Sequence, residues 1–482
     1  MARDGTEAPA ERLSVDLCVI GAGSGGLSVA AGAAQLGASV ALVEGHLMGG
    51  DCLNFGCVPS KALLAAAKRA HAMGKGAPFG VAPETARVDW AAVRAHVRGV
   101  IDAIAPHDSQ ERFEGLGVRV IRAWGAFAGP DAVRAGAHLI RARRFVIATG
   151  SRAAIPPIPG LADAPYLTNE TIFDLAERPD RLIVLGGGPV GMEMAQAHRR
   201  LGAAVTVIEA QRALGREDAQ AAAVVLARLR AEGVDIREGV RAARVETAPG
   251  GLRVTLEDGA TVDGSHLLVA AGRTPNLERL NLPAAGVEAG PQGVAVDRAL
   301  RARGNRRVYA IGDAAGQGQF THLAGWHAGL VVRSALFRLP VRADRAAIPR
   351  VTFTDPELAQ IGPAEAEARA AHGARLRVLR VDYADSDRAR AEGLAEGFVK
   401  VLADRRGRVL GATIVGAQAG ELIGPWALAM AQRLRLGAVA GMIAPYPTLG
   451  EMNKRAAGAF YTPTLFGNPW VKRAVRLLAK LG

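Results

Sequence analysis

The sequence contains little cysteine, few aromatic residues and no long apolar run. Three cysteines in 482 residues exclude a disulfide-stabilised scaffold and indicate a reducing compartment, so we expect a cytoplasmic location. The chain has no apolar stretch of about 18 residues, which argues against a membrane-spanning helix. Residues 1–12 lack the apolar segment of a secretory signal and are expected to form a loose tail.

Glycine and positive charge are, by contrast, plentiful. The chain has 59 glycines without a collagen repeat, which predicts many tight turns and close backbone approaches. It carries 59 basic against 46 acidic residues, a formal net charge of +13. The arginines are scattered and no nucleic-acid-binding motif is present, so we interpret the charge as a solvated surface and expect no nucleic-acid partner. Length alone predicts about three domains.

A strand–turn–helix–strand unit occurs twice. The first copy runs from an apolar strand at 13–20 through the turn GAGSGG to a strand that ends on Glu44. The second copy starts with a strand at 181–185, continues through GGGPVG and ends on Glu209. Each glutamate follows the first glycine of its turn by 23 residues. The motif glycines are Gly21, Gly23 and Gly26 in the first copy and Gly186, Gly188 and Gly191 in the second.

This pattern is typical of a dinucleotide-binding fold. The first glycine makes the tight turn, the second lets backbone N–H groups approach a pyrophosphate, and the third lets the helix pack on the strand. The helix N-terminus favours the anion, and the closing glutamate accepts hydrogen bonds from a ribose. We therefore predict an α/β protein with two nucleotide-binding domains. A carboxylate at Glu209 would repel a 2′-phosphate and favour NADH, an inference that the nearby Arg212 weakens.

Two of the three cysteines lie in the segment GGDCLNFGCVPSK. Cys52 and Cys57 are five residues apart, which on a regular helix is about 7.5 Å and too far for a disulfide. A disulfide therefore needs a distorted turn, which Gly56 permits. The position after a nucleotide-binding unit favours a redox pair; two structural thiols or half a zinc site are the alternatives, and no second pair or nearby histidine completes the latter. We expect no bound metal and interpret Cys18 as a core residue.

Proline-containing connections and a change in the predicted pattern of strands and helices indicate the domain boundaries. Two apolar strands ending in glycine, FVIATG and LLVAAG, are each followed by a proline-containing connection, and we interpret them as the crossings into and out of the second domain. From about residue 348 we expect alternating strands, such as 397–402 and 409–415, with helices near 421–436 and at the C-terminus. The predicted domains are 13–150 with 276–347, which form one discontinuous unit, then 151–275, and finally 348–482.

Together these motifs resemble those of the pyridine nucleotide–disulfide oxidoreductases, which include dihydrolipoamide dehydrogenase, glutathione reductase and mercuric reductase. The motifs in chain order are GAGSGG, GGDCLNFGCVPSK, ATG, GGGPVGME, AAGRTPN, YAIGDAA and PYPTLGE. The resemblance covers nearly the whole chain. It implies a Rossmann-like FAD-binding domain, a Rossmann-like NAD(P)-binding domain and a C-terminal α+β dimerisation domain that forms a homodimer.

The resemblance also implies functions for individual residues. Cys57 would contact the flavin, and Cys52 would meet the substrate. Lys61 and Glu193 would form an ion pair beside the flavin, and Asp313 would bind its ribityl chain. Electrons would pass from NAD(P)H through FAD to the Cys52–Cys57 disulfide and on to a small acceptor. The remaining implied cofactor-binding residues are Gly50, Thr149, Gly150, Gly272 and Gly312.

The last motif departs from that of the disulfide-reducing members. They carry a histidine as base where this chain has Tyr446, whereas Glu451 is kept. Tyrosine titrates near pH 10 and cannot shuttle protons at neutral pH as histidine does. Tyrosine here resembles mercuric reductase, but no cysteine follows Cys57 to deliver a metal. We expect a mercuric reductase-like enzyme; the alternatives are a dihydrolipoamide dehydrogenase and a membrane-associated redox protein that acts on a protein or quinone.

Three smaller features lead to further expectations. The resemblance implies a cis peptide bond between Tyr446 and Pro447. His322 could replace the missing base, although a polar residue at a helix start is the simpler interpretation. The segment 469–481 is basic and amphipathic and could contact an anionic membrane surface, although such a stripe more often packs on its own domain.

Overall fold

The computed structural model describes residues 11–343 and 348–481, which contain strands and helices throughout. The strands are β1 Glu11–Ile20, β2 Val40–Val43, β3 Val118–Ile121, β4 Gly125–Gly129, β5 Ala132–Ala135, β6 His138–Ile147, β7 Ser151–Ala153, β8 Tyr166–Leu167, β9 Arg181–Leu185, β10 Ala204–Glu209, β11 Val234–Glu238, β12 Ala242–Ala248, β13 Gly251–Leu256, β14 Thr261–Gly264, β15 His266–Val269, β16 Arg273–Pro275, β17 Ala289–Gly290, β18 Gly293–Val294, β19 Val308–Ala310, β20 Arg350–Thr352, β21 Glu357–Ile361, β22 Arg377–Asp382, β23 Phe398–Ala403 and β24 Val409–Gly416.

The α-helices connect and cover these strands. They are α1 Ser24–Gln35, α2 Gly50–Asn54, α3 Cys57–Met73, α4 Trp90–Ile104, α5 Gln110–Gly115, α6 Pro189–Arg200, α7 Ala219–Ala231, α8 Thr321–Phe337, α9 Glu365–His372, α10 Asp387–Ala391, α11 Ala419–Leu422, α12 Gly424–Ala431, α13 Leu436–Ala440, α14 Glu451–Gly458, α15 Thr462–Leu465 and α16 Pro469–Leu478. None of these helices is long and apolar enough to cross a membrane.

The first sheet is built around β1. Its strands lie in the order β3-β2-β1-β6-β5-β4, and β19 pairs in parallel with β6. Alternate β1 residues enter different cores: Cys18 and Ile20 pack in one cluster, Leu17 and Val19 in another. Both faces of the strand are therefore buried, as is usual for parallel sheets. Cys18 is a core residue, as predicted.

The first strand begins earlier than predicted, inside the segment expected to be a loose tail. Glu11 and Arg12 extend β1 and pair with His138 and Leu139 of β6, because the backbone of a neighbouring strand is available there for hydrogen bonding. Residues 1–10 lie outside the described part of the chain.

The second parallel sheet has the order β11-β10-β9-β15-β8 and is joined by the antiparallel set β12-β13-β14. The two predicted crossings between the first and second domains lie side by side. The short strands β7 and β16, which directly follow FVIATG and LLVAAG, pair with each other in antiparallel orientation. The strand β19 then returns to the first sheet, which is the connectivity that a discontinuous first domain requires. The residue boundaries of the three domains stay a prediction.

The third unit is an antiparallel sheet in the order β20-β21-β24-β23-β22, and Trp426 is fully buried in its core. The helices expected near 421–436 are present, as three short ones. Pro425 lies in the first turn of α12, where its missing N–H is tolerated, and Arg433 adopts a left-handed backbone conformation after that helix, with φ 53°, which interrupts a right-handed helix.

Candidate active site

The first glycine turn joins β1 to α1 and leaves no room for side chains. Gly21 has φ +105°, and a Cβ there would collide with the carbonyl of Ala148. A Cβ on Gly26 would collide with the carbonyl oxygen of Gly21, so the helix can approach the strand only with glycine at this position. Gly23 caps α1 without any side-chain hydrogen bond. The first N–H groups of the helix are therefore available to an anion.

The second turn, between β9 and α6, repeats this geometry. Gly186 has φ +113°, and a Cβ there would collide with the carbonyl of Ala270. A Cβ on Gly191 would collide with the carbonyl oxygen of Gly186. Gly188 caps α6 without a side-chain bond, and a Cβ on it would meet nothing within 4 Å. Both turns thus present bare backbone at a helix N-terminus.

The two closing glutamates also make equivalent contacts. Each carboxylate accepts two backbone hydrogen bonds. One comes from the second residue of its glycine turn, and the other comes from the residue two positions after the glutamate itself. These bonds hold the carboxylates beside the turns, and each carboxylate keeps lone pairs for ribose hydroxyls. The donors are the N–H groups of Ala22 and His46 for Glu44, both at 2.6 Å, and of Gly187 and Gln211 for Glu209, at 2.7 and 2.8 Å.

A second backbone segment closes the first turn. The Gly49 N–H donates to the Ala22 carbonyl at 3.0 Å, and Gly49 forms a parallel bridge with Gly23. A Cβ on Gly50 would lie only 2.7 Å from the Gly23 Cα. Two side-chain-free segments therefore meet at the N-terminus of α1, and this cradle fits the pyrophosphate of FAD.

Asp313 lies across the same region, in the short 3-10 turn Gly312–Ala315 that follows β19. Its carboxylate accepts a hydrogen bond from the Ser151 hydroxyl at 2.5 Å. Burial raises the pKa of Asp313, against this hydrogen bond and the charge of Arg273. A half-buried carboxylate of this kind could accept a hydrogen bond from a ribityl hydroxyl, as the resemblance implies.

The cysteine pair spans a break between two helices. Cys52 lies on α2 and Cys57 is the first residue of α3. Between them Gly56 has φ −126° and ψ −112°, so the spacing is not that of a regular helix, as predicted. Both thiols are unbridged. Among the described residues no group of three or more possible ligands is arranged to hold a metal ion.

The two thiols differ in acidity. The pKa of Cys57 is lowered to about 6 by a hydrogen bond from the Cys52 thiol, with further contributions from Thr321 and the charge of Lys61, against burial. The Thr321 hydroxyl lies 3.2 Å from the Cys57 sulfur. The hydrogen bond between the two thiols, together with burial, raises the pKa of Cys52. At neutral pH the pair therefore consists of a thiolate at Cys57 and a thiol at Cys52.

The predicted Lys61–Glu193 ion pair is present. The Lys61 Nζ lies 2.8 Å from a carboxylate oxygen of Glu193, which is buried. The other oxygen accepts the backbone N–H of Phe353 at 2.9 Å. The Lys61 Nζ also lies 4.4 Å from the centre of the Phe353 ring, within the range of a cation–π contact. Helices α3 and α6 and the segment after β20 meet at this point.

Sequence reasoning missed a polar cluster around Arg273. Its guanidinium donates to the Ser151 hydroxyl at 2.7 Å and lies 3.1 Å from Asp51 and 3.9 Å from Asp313. Asn169 donates to the other oxygen of Asp51 at 2.8 Å. This cluster links the residue before Cys52 to the ribityl-side carboxylate. Arg273 lies in the AAGRTPN motif, which was the available signal.

Thr149, Gly150 and Gly272 lie at the paired crossings. The Thr149 hydroxyl donates to the carbonyl of Asn276 at 2.7 Å, and the Asn276 N–H donates to the Gly150 carbonyl at 3.0 Å. The Ala154 N–H donates to the Gly272 carbonyl at 2.9 Å. These residues fasten the two crossing strands to each other; their contact with a cofactor stays a prediction.

Tyr446 is exposed on the third unit. Its bond to Pro447 is cis, as predicted. The phenol donates a hydrogen bond to Asp387 at 3.0 Å, a partner that sequence reasoning missed. That bond and the nearby charge of Asp387 raise the pKa of Tyr446, with a smaller contribution from Glu451, the first residue of α14. Within the described residues its hydroxyl is bonded to Asp387 and not to the cysteine pair.

His322 lies near the start of α8 and contacts the connection to the third unit. Its Nε2 lies 2.9 Å from the carbonyl oxygen of Pro349, and burial lowers its pKa. The ring stacks on Phe320 with 5.2 Å between ring centres. The histidine thus holds the start of α8 against the connection to the third unit.

The fold and the site define an oxidoreductase with two dinucleotide-binding turns and a dithiol between them. The family model for pyridine nucleotide-disulphide oxidoreductases matches residues 15–328, and the model for their dimerisation domain matches residues 348–457. The chain belongs to this family. It is a flavoprotein enzyme of the FAD-dependent type, and the dimerisation domain supports a homodimer.

Curated relatives carry two different activities. A mercuric reductase of Streptomyces lividans is 34% identical, covering 92% of this chain and 96% of the relative. A dihydrolipoyl dehydrogenase of Haloferax volcanii is also 34% identical, with coverage of 92% and 95%. The family is therefore certain from sequence, whereas the substrate is not decided by similarity.

Solved structures agree with this assignment of fold. The structure of LpdA from Mycobacterium tuberculosis has a TM-score of 0.85 at 29% identity and covers 92% of this chain and 99% of that one. A Cu(II) complex of the HOCl-induced flavoprotein disulfide reductase RclA from Escherichia coli has a TM-score of 0.82 at 27% identity, with coverage of 91% and 99%. The α/β class with two nucleotide-binding units and a C-terminal dimerisation domain is confirmed.

Proposed function

We propose that the enzyme uses NADH to reduce a small soft-metal acceptor, in the manner of a mercuric reductase, through the Cys52–Cys57 pair. When bound, FAD would supply the two-electron link between the nicotinamide and this pair. The observation that carries the proposal is the combination of a low-pKa thiolate at Cys57 with a tyrosine, and no histidine, at position 446. The NADH preference rests on Glu209.

The protonation states of the site suit a metal acceptor. Thiolates are the ligands that soft metal ions prefer, and Cys57 is already deprotonated at neutral pH. A metal ion that binds the pair displaces the remaining proton from Cys52 by itself. Tyr446, kept protonated by Asp387, would act only as a hydrogen bond donor or oxygen contact. In a homodimer we expect it to face the active site of the other subunit.

A disulfide acceptor places a heavier demand on proton transfer. When Cys52 opens a substrate disulfide, the leaving thiolate must be protonated, and the reverse reaction must remove that proton. Such general acid–base help contributes about 10²–10⁴-fold, and a phenol with a raised pKa is poorly suited to it. A dihydrolipoamide dehydrogenase nevertheless remains the second candidate, because the Haloferax volcanii relative is as similar as the mercuric reductases.

The test is a comparison of acceptors in two matched variants. We expect wild-type enzyme to reduce mercuric ion with NADH and to reduce lipoamide weakly. Tyr446→His should raise kcat/KM for lipoamide by roughly 10- to 1,000-fold, part of the full acid–base contribution. Tyr446→Phe, which has the same ring without the hydroxyl, should leave the lipoamide value low.

The opposite pattern would refute the proposal. Wild-type kcat/KM above about 10⁴ M⁻¹s⁻¹ for lipoamide, a value in the range of efficient enzymes, together with no mercuric ion reduction, would favour the dihydrolipoamide dehydrogenase candidate. It would also mean that a group other than Tyr446 supplies the proton.

A further inference from the structure

Helix α16 projects from the third unit without covering contacts. Phe460 still packs against the core of that unit, but no residue from 462 to 481 is buried. Trp470, Leu478 and Leu481 are 73%, 65% and 77% exposed. The expectation that this amphipathic stripe packs on its own domain is therefore wrong, because the described part of the chain offers no surface against it.

The exposed side chains of this helix are sorted by type. From Trp470 to Leu478, at 100° per residue, the apolar residues fall within an arc of about 160° and the basic residues within an arc of about 100° on the other side. The segment 469–481 contains no acidic residue. The apolar set on the helix is Trp470, Val471, Ala474, Val475, Leu477 and Leu478, the basic set is Lys472, Arg473 and Arg476, and Lys480 and Leu481 follow the helix end.

Two apolar residues that precede the helix are exposed as well. Leu465 and Phe466, just before the helix, are 47% and 70% exposed. The Arg473 guanidinium lies 5.1 Å from the centre of the Trp470 ring, so the tryptophan is placed between the apolar and basic sides. Tryptophan with flanking arginine is favoured at the boundary between lipid headgroups and acyl chains.

Charge decides which occupant fits this surface. A second copy of the chain could cover the apolar side, but its own segment 469–481 would bring four more cations and no acidic partner. An anionic bilayer surface buries the apolar arc and neutralises the basic arc at the same time. The helix has ten residues and is about 15 Å long, which suits a position in the plane of the surface.

We propose that α16, with Leu465 and Phe466, is a peripheral anchor that binds the enzyme to anionic membrane surfaces. The anchor is remote in sequence from Cys52 and Cys57. We therefore expect it to determine where the enzyme is located in the cell and to leave the redox pair unchanged. It does not depend on the identity of the acceptor.

The test is flotation of the full-length, FAD-loaded enzyme with lipid vesicles. Vesicles of phosphatidylcholine with 30% phosphatidylglycerol should carry the enzyme, and pure phosphatidylcholine should carry at least about tenfold less, since each basic residue near an anionic surface contributes about fivefold. Leu478→Glu should reduce binding by about tenfold or more. Lys472→Ala with Arg476→Ala should reduce it by roughly 25-fold.

A matched control lies elsewhere on the surface. Leu36 is 55% exposed at the end of α1, and Leu36→Glu should leave vesicle binding unchanged. All variants should keep the elution volume and NADH oxidation of the wild type. Equal binding to neutral and anionic vesicles, or no binding to either, would overturn the proposal. So would a change of Leu478→Glu from dimer to monomer, which would show that α16 packs on the partner subunit.

Discussion

The two glycine turns have nearly the same backbone but different surroundings. In the first, the segment with Gly49 and Gly50 lies directly against Gly23 and closes the cradle. In the second, the Leu214 N–H likewise donates to the Gly187 carbonyl at 2.8 Å, but nothing lies within 4 Å of a Cβ position on the equivalent Gly188. The more closely covered central glycine suits a nucleotide that stays bound, and the less covered one suits a nucleotide that enters and leaves. The difference teaches where to look for each cofactor: we expect the first turn to hold the resident nucleotide and the second turn the exchanging one.

The residues that follow each turn differ as well. The first unit leads into the cysteine pair and Lys61, and the second leads into Glu193 on α6. The ion pair between Lys61 and Glu193 joins the two units. Only the first unit therefore carries the cysteine pair, and the second supplies the carboxylate that pairs with Lys61 beside it.

The largest expected effect concerns the redox pair that only the first unit carries. Cys57→Ser and Cys52→Ser should each lower acceptor reduction by more than roughly a thousandfold, because each removes a thiol that the pair needs. Cys52→Ser should show a long-wavelength absorbance band from the Cys57 thiolate beside oxidised flavin without added reductant, and Cys57→Ser should lack it.

The same band gives a pH test. The pKa of Cys57 is lowered to about 6, so the thiolate and its band should persist above that pH and disappear as the pH falls below it. The measurement is an absorbance titration of wild-type enzyme reduced by two electrons, which keeps the Cys52 thiol that lowers this pKa most. If both cysteine variants match the wild-type spectrum, the assignment of the redox pair is wrong.

A matched pair of glycine substitutions tests the division between resident and exchanging nucleotide. Gly26→Ala and Gly191→Ala each force a methyl group against the carbonyl of the first glycine of the turn, Gly21 or Gly186. We expect each substitution to cost about 1–3 kcal/mol, which corresponds to a loss of nucleotide affinity of roughly 5- to 150-fold. Gly26→Ala should purify with little FAD. Gly191→Ala should stay yellow but lose NADH affinity. Loss of FAD from both variants, measured as absorbance per chain, would contradict the division.

The closing glutamate of the second unit should decide the nicotinamide cofactor. Glu209 faces the expected ribose position, and a carboxylate opposed to a 2′-phosphate costs about 1–3 kcal/mol, so kcat/KM should favour NADH over NADPH by roughly 5- to 150-fold. Glu209→Ala should reduce this ratio, and Arg212→Ala, which keeps the carboxylate, should not. Equal values in the wild type would instead identify Arg212 as a phosphate contact.

The smallest expected effect concerns the ion pair that joins the two units. The positive charge of Lys61 lowers the pKa of Cys57, so Lys61→Met should raise that pKa and move the loss of the thiolate band to higher pH. Lys61→Arg keeps the charge and serves as the control. If the titration of Lys61→Met is unchanged, the hydrogen bonds to Cys57 by themselves account for its lowered pKa.

Features that depend on short sequence distances could be predicted. The two glycine turns, their closing glutamates, the core position of Cys18 and the strand Arg181–Leu185 follow from spacing and side-chain type, because adjacent residues dictate turn geometry and strand burial. The distorted turn between Cys52 and Cys57 followed from the same reasoning. The helices near 421–436 were also predicted, but not their division into three short ones.

Contacts between distant segments were decided by the tertiary structure alone. Packing of three units brings Phe353 to the Lys61–Glu193 pair and sets Arg273 beside Asp51. It also gives Tyr446 an acidic partner and leaves α16 uncovered. Sequence spacing constrains only what one turn or strand can reach, whereas charge pairing and burial depend on which surfaces the folded chain brings together.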